Sequence, residues 1–325
     1  MGEYKVTDRT EAAQLLPPEE RLAYVKAAAI NDGMDLLEHY RLRSRYDYTA
    51  YPPVTPEILV PAARGRADQI WEGSMNWTNP GVQEGTLVTG LDTNAAFLSA
   101  TNTHLPIGQL VHAQGHEAVF HRQRSGLYLV TPPEWDFPHL PNPLGNRKEA
   151  GQLWVGRPTL QLLMDCATER YGSLCDQPQI HETWTSGSTD AIFRKWREQL
   201  RDARAQAILT GDELTVEYVK AVYSQTISTL DGAKNRHIRR REWRHLIRAQ
   251  AFANLWRKAW RARANGLTVY RVFGTDELHV VGDWRPVFPE GRSLTEMKLK
   301  RTLDPQTGTE SDGTYAAPAR RRGRN

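Results

Sequence analysis

The chain has 325 residues, 39% hydrophobic and 25% charged, the profile of an ordinary globular protein of one large or two medium domains. It has no run of 18 apolar residues, its first thirty residues are charged and proline-broken, and its two cysteines, Cys166 and Cys175, are too few for a disulfide scaffold. These features argue against a membrane protein, an exported protein and a disulfide-stapled fold, and the expectation is a cytoplasmic, nucleoid-associated protein whose formal charge of +4 is unevenly spread: eleven Lys/Arg against one acid, Glu242, lie between Lys234 and Arg263.

Residues 1–50 read as helical. Pro17 and Pro18 stand at a helix start, Glu19 and Glu20 suit its first turn, and Leu22, Val25, Ala29 and Leu36 form an apolar face. Residues 51–85 are rich in Pro and Gly and read as irregular. In TLVTGLDTNAAFLSA (86–100) a β-rich run leads into Asp92 and a turn. Residues 105–160 hold short strand-like pieces such as GLYLV (126–130). The stretch from Ser188 to Leu209 suits one helix with Ser188 or Thr189 as cap, TGDE (210–213) breaks it, and a second helix follows, so the two form an antiparallel hairpin. A third helix covers roughly 240–263. LTVYRVFGTDELHVVG (267–282) reads as a hairpin turning at Gly-Thr-Asp, and the tail from about 303 as disordered.

Asp92 and Asp276 each end or interrupt an apolar β-rich run, so each projects from a rigid strand end. Nucleotidyl transfer needs two hard divalent cations, and two aspartates from distant segments supply the carboxylates. Turn chemistry alone also favours aspartate at such places.

LDTNAAFLSA (91–100) resembles the first palm motif of family B DNA polymerases, Asp-x-Asn-Ser-x-Tyr, and FGTDELHVV (273–281) resembles the third, Tyr-x-Asp-Thr-Asp-Ser. The resemblance runs in motif order over about 86–301 and points to the protein-primed subgroup, as in replication proteins of actinobacterial plasmids and mobile elements. It implies that Asp92, Thr93 and Asp276 hold two Mg²⁺ or Mn²⁺ ions, that Asn94 belongs to the substrate site, and that Phe97 is the steric gate against a ribose 2′-hydroxyl. Gly274 replaces the first aspartate of the third motif and Glu277 its serine. VKAVYSQTISTL (219–230) is similar to the middle motif, Lys-x₃-Asn-Ser-x-Tyr-Gly. Lys220 keeps the triphosphate-binding lysine, Ile227 stands at the tyrosine position, and Tyr223 is the substitute from the previous turn. No counterpart of the family's Asp-x-Glu exonuclease motif is present, so no proofreading is expected.

Arg194, Arg197, Arg201 and Arg204 are spaced for one helical face, where aligned guanidiniums suit a triphosphate. Arg194 and Arg197 are the preferred candidates. In the helix over 239–264, Leu246, Ile247, Ala249, Phe252, Ala253, Leu255 and Trp256 form the inward side, and Arg239, Arg240, Arg241, Arg244 and Arg248 face outward or toward the substrate, with Arg241, Arg244 and Arg248 as phosphate contacts. SLTEMKLKR (293–301) resembles a primer-contacting segment, with Lys298 and Lys300 as candidates.

The expected fold is α+β: a small antiparallel palm sheet backed by helices, a two-helix fingers hairpin and a short thumb-like segment. The expected divisions are 1–85 as an N-terminal region, 86–187 and 233–290 as the two palm parts, 188–232 as fingers, 291–310 as thumb and 311–325 as a basic tail. The expected function is a primer-extending DNA polymerase acting on primer–template DNA and dNTP, with a terminal protein or other replication subunit as a further partner. The rival is a non-catalytic nucleic-acid-binding replication or telomere protein with a degenerate palm. A zinc hydrolase is disfavoured because HAQGHEAVFH (112–121) carries one residue too many for His-Glu-x-x-His.

Overall fold

The computed structural model describes residues 6–42, 56–59, 75–147, 149, 151–230, 232, 240–300 and 312–318. A mixed α/β architecture is built on an antiparallel sheet that includes the strand carrying Asp92. That strand, β2 (Leu87–Thr93), lies beside β10 (Glu277–Val281), then β9 (Thr268–Gly274), then β1 (Met75–Thr78). Its other edge is shared end to end by β11 (Met297–Leu299) and β12 (Thr314–Ala316).

Alternation along these strands gives the sheet two unlike faces. Leu91, Val269, Val272, Leu278, Val280 and Met297 point to one side, against Phe252, Leu255, Trp256 and Ala259 of helix α7 (Arg241–Ala264). The other side carries Gly90, Asp92, Glu277, His279 and Lys298, all in register with one another. One face is thus a core wall and the other a polar platform.

A second layer is helical. α5 (Arg194–Thr210) and α6 (Glu213–Thr229) form the expected hairpin. Gly211, at φ 71°, ends α5 in the left-handed conformation that glycine adopts most cheaply, and Asp212 caps α6 by accepting from the Thr215 amide at 3.0 Å. α5 begins later than the sequence suggests: Thr189 and Asp190 belong to a short strand, β8, paired with β3 (Leu105–Pro106), and do not cap a helix. N-terminal helices α1 (Val6–Ala13) and α2 (Pro18–Arg41) brace this hairpin. Val25, Ala29 and Leu36 are buried as expected, but Leu22 is exposed. Asp32, 3% exposed, ties the layer together: it accepts two bonds from Arg9 at 2.8 and 2.7 Å and one from the Tyr218 hydroxyl of α6 at 2.6 Å.

Between β2 and α5 the chain makes a separate sheet in the order β4 (Val111–Gln114), β7 (Gln179–Ser186), β5 (Ser125–Thr131), β6 (Leu153–Gly156), backed by α4 (Arg157–Cys166). Cys166 is buried, Cys175 half-buried, and both are free thiols. His112 pairs with Glu182 at 2.9 Å and stacks on Trp184.

Three expectations are corrected here. Within 51–85, read as irregular, Met75–Thr78 forms an edge strand on β9, its Met75 packed into the core under the sheet. Within the tail read as disordered, Thr314–Ala316 pairs with β2, and Tyr315 and Ala317 pack with Val88 and Tyr270; those partners are more than 40 residues away, so local composition did not reveal the strand. Residues 319–325 lie outside the described residues. Arg240 does not face outward: it is 1% exposed, pairs with Glu242, donates to the carbonyls of Pro106 and Gly108, and lies over the Trp243 ring. Arg239 lies outside the described residues. No helix among the described residues is long and apolar enough to cross a membrane.

Candidate active site

A cleft of about 430 Å³ opens between the polar end of the large sheet and the helical hairpin. Asp92 reaches it from the last turn of β2, and Asp276 from the turn between β9 and β10. The two segments are stitched together by the Thr93 amide, which donates to the Asp276 carbonyl at 2.7 Å. The sheet register places Glu277 directly opposite Asp92, so the two aspartates, 184 positions apart in sequence, share one end of one sheet.

Their electrostatics agree with that proximity. Burial pushes both carboxyls above the ordinary aspartate range, and the charge of Asp92 pushes Asp276 up further; Lys300 and Lys298 offset part of this at both. Two like charges half-removed from water, on a rigid scaffold, form a donor set that an external cation relieves.

The turn geometry accounts for the glycine at 274. Gly274 sits at φ 62°, where a side chain is strained, and an added Cβ would lie 3.4 Å from Asp276 Oδ1. The turn therefore takes glycine where the motif that the sequence resembles has an aspartate. Ala95, at φ 43°, bends the chain out of β2 into α3 (Ala96–Ala100) and brings Phe97 to the cleft wall. A left-handed alanine costs about 1–2 kcal/mol, strain of the kind held at functional turns.

The helical wall is α6. Val216, Lys220 and Tyr223, spaced four and three apart, face the cleft with Glu217 and Ser224. Tyr223 is 8% exposed, and burial raises its hydroxyl to about 12, so it is present as the neutral phenol. Glu217 pairs weakly with Lys220 at 3.6 Å.

Asp92, Thr93, Asn94, Phe97, Lys220, Tyr223, Asp276 and Lys298 all line this one cleft. Arg194 and Arg197 do not. Arg194 is exposed at the first turn of α5, and Arg197 is half-buried elsewhere on the helix. The arginine of α5 that does reach the cleft is Arg204, 8% exposed and donating to the Arg292 carbonyl at 2.5 Å. The reason is the buried stripe of α5, which runs Trp196, Leu200, Arg204, Ala207. An arginine at a core position of an amphipathic helix was the signal in the sequence. Arg292 also lines the cleft and grips Glu213 at the start of α6 through two bonds, at 2.5 and 2.9 Å.

Asn94 has a structural duty as well. It is 2% exposed and its amide donates to the carbonyls of Gly291 and Glu296, at 2.9 and 3.0 Å, fastening the 291–296 loop to the end of β2. Arg241 donates to the Leu59 carbonyl at 2.7 Å, so its guanidinium is committed inward rather than outward. Arg244 and Arg248 are half-buried on α7, and Arg248 lies 5.6 Å over Phe252. Lys298 is exposed opposite Asp92; Lys300 stands 4.0 Å from the Asp92 carboxylate.

No known protein family matches the chain, and no curated protein does. Solved structures do. The chain superposes on phi29 DNA polymerase in its orthorhombic crystal form with a TM-score of 0.58 at 10% identity, covering 92% of this chain and 63% of that one. On phi29 DNA polymerase complexed with primer-template DNA the TM-score is 0.60 at 10% identity, covering 84% and 52%; on the ternary complex with incoming nucleotide substrates it is 0.56 at 11%, covering 82% and 52%. The fold is therefore polymerase-like. The chain spans between about half and just under two thirds of the length of those polymerases.

Proposed function

We propose that the chain is a nucleotidyltransferase that extends the 3′ end of a DNA primer. The single observation that carries this is the convergence of Asp92 and Asp276 on a cleft whose opposite wall is cationic. The donor set fits divalent ions: hard carboxylate oxygens, raised in pKa by burial and, at Asp276, by the charge of Asp92 as well, on strand ends that hold their positions. Asp92 and Asp276, with the main chain at Thr93, would hold two Mg²⁺ or Mn²⁺ ions. Such ions, when bound, supply Lewis-acid activation of the primer hydroxyl and charge neutralisation at the triphosphate.

The protein's own residues do the rest. Lys220 and Arg204, joined by Arg292, neutralise the triphosphate from the helical side, and Arg204, already largely desolvated, binds an anion more strongly than an exposed arginine does. Phe97 and Tyr223 bound the sugar and base from opposite walls; the bulk of Phe97 excludes a 2′-hydroxyl. The polar face of the sheet, with Lys298 and Lys300, takes the primer strand, and Arg244 and Arg248 add phosphate contacts that are independent of base sequence. The attacking primer hydroxyl and the departing pyrophosphate lie in line across the α-phosphate, so the protein contributes chiefly positioning and charge. The resemblance of the motifs to the protein-primed subgroup favours a role in replicating a plasmid or mobile element of an actinobacterial type, in the cytoplasm, with a terminal protein or other replication subunit as a further partner.

Primer extension tests the proposal. Wild-type protein with Mg²⁺ or Mn²⁺ extends a primer on a template; Asp92→Ala and Asp276→Ala each lose at least about 10³-fold, because each removes a ligand on which both charge stabilisation and alignment depend. Equal activity in all three, or none in the wild type, leaves only a basic nucleic-acid-binding surface.

A further inference from the structure

The polar face of the sheet holds a buried charged network that the chemistry above does not use. Glu277 follows Asp276 and is 7% exposed. It resembles a third carboxylate for a metal pair, yet both of its oxygens are already engaged. Oε1 meets His279 Nε2 at 2.5 Å, and Oε2 is bonded by the Lys300 ammonium. His279, 5% exposed, is held at its other nitrogen by the Tyr315 hydroxyl at 2.5 Å. Lys300 in turn stands 4.0 Å from Asp92 Oδ1. The series Tyr315, His279, Glu277, Lys300 therefore ends beside the carboxylate at the centre of the site.

Two further facts say the network is built. Gly90 leaves the space: a Cβ there would lie 3.3–3.4 Å from the His279 ring and 3.4 Å from Lys300 Cβ. The network also joins three strands or strand ends, since Glu277 and His279 lie on β10, Lys300 just beyond β11 and Tyr315 on β12.

We infer that Glu277 is a positioning residue, fixed by His279 and Tyr315, which holds the Lys300 ammonium beside Asp92 to grip the last phosphodiester of the primer strand. An unpinned lysine on a flexible four-carbon stem would lose rotamer freedom on binding. A lysine already held loses little, and its charge is delivered at the one place where a primer 3′ end must lie for Asp92 to act. The strand β12 thereby becomes part of the site, although it touches no substrate. This rests on the primer-extending reading above.

The test is a cycle on the full chain with E277Q, K300Q and the double variant, binding a labelled primer–template by anisotropy over a salt series. Melting curves report the fold. K300Q is expected to weaken binding about tenfold and to lower the salt slope by about one. E277Q should weaken it several-fold, and the double variant no more than K300Q alone. In steady-state extension both raise KM for primer–template more than they lower kcat, and neither moves the Mg²⁺ midpoint. E277Q binding like wild type, an E277Q effect that persists undiminished without Lys300, or a raised Mg²⁺ midpoint with unchanged DNA affinity each overturns the inference, the last by making Glu277 a metal ligand. If E277Q does not fold, Y315F decides: it must weaken binding about twofold in the wild-type background and not at all in K300Q. Binding needs no turnover, so absence of extension by wild type sinks the catalytic reading separately.

Discussion

Gly33 lies where α2 crosses α6, and replacing it by alanine sets two physical rules against each other. In an exposed helix interior Gly→Ala stabilises by about 1 kcal/mol. Here the new Cβ would stand 2.0 Å from Thr226 Oγ1, 3.1 Å from Val222 Cγ1 and 3.3 Å from the Val222 carbonyl. Thr226 is fully buried, and both neighbours are β-branched, so neither side chain can swing aside cheaply. Overpacking of this kind costs about 3 kcal/mol at its upper end. Set against the propensity gain, the net is a loss of about 2 kcal/mol in urea denaturation. Among the described residues Thr226 Oγ1 has no hydrogen-bond partner, so Thr226→Ala removes the obstructing atom without orphaning another of them. The double variant should recover to within about 1 kcal/mol of wild type. The Gly33 carbonyl also accepts from Trp196 Nε1 of α5 at 3.0 Å, so both helices of the hairpin are referenced to this one turn of α2. Because α6 carries Lys220 and Tyr223, the single variant should raise KM for dNTP more than it lowers kcat. A Gly33→Ala protein as stable as wild type, or one that Thr226→Ala fails to rescue, would refute the close-crossing argument.

Three other outcomes are expected. Burial raises the Asp92 carboxyl above its unfolded value, so the folded chain holds that proton more tightly and the charged form costs stability at neutral pH. Asp92→Asn should therefore melt higher by about 1 kcal/mol of stability at pH 7, a modest figure because the side chain is 26% exposed, and the advantage should shrink as pH falls into the aspartate range while extension stays lost throughout. Arg204→Gln should raise KM for dNTP about tenfold whereas Arg194→Gln leaves it unchanged; the reverse ranking in steady-state kinetics would restore the first turn of α5 as the triphosphate contact. Phe97→Ala should increase incorporation of rNTP relative to dNTP by about tenfold or more in competition assays, and unchanged selectivity would remove Phe97 from the gate.

Some of this was written locally in the chain. The Gly-Thr-Asp turn, the TGDE break and the apolar spacing of 246–256 each depend on residues within one or two turns of one another, and the hairpin, the α5–α6 pair and the buried side of α7 follow from them. The resemblance to polymerase motifs named Asp92, Phe97, Lys220, Tyr223 and Asp276, and the fold brings all five to one cleft. What the sequence left open is what depends on partners far away. Four arginines on one helical face look alike until packing turns Arg204 inward and leaves Arg194 in solvent. Arg240 reads as an outward-facing arginine and Arg241 as a phosphate contact until the carbonyls of Pro106, Gly108 and Leu59 claim them. Tyr315 lies in a polar tail with no local pattern, and only pairing with β2 makes it a strand and places its hydroxyl on His279. Short-range order fixes the elements because backbone hydrogen bonds and turns are local. The direction of a long cationic side chain is decided by which distant carboxylate or carbonyl the folded chain sets beside it, and that requires the tertiary structure.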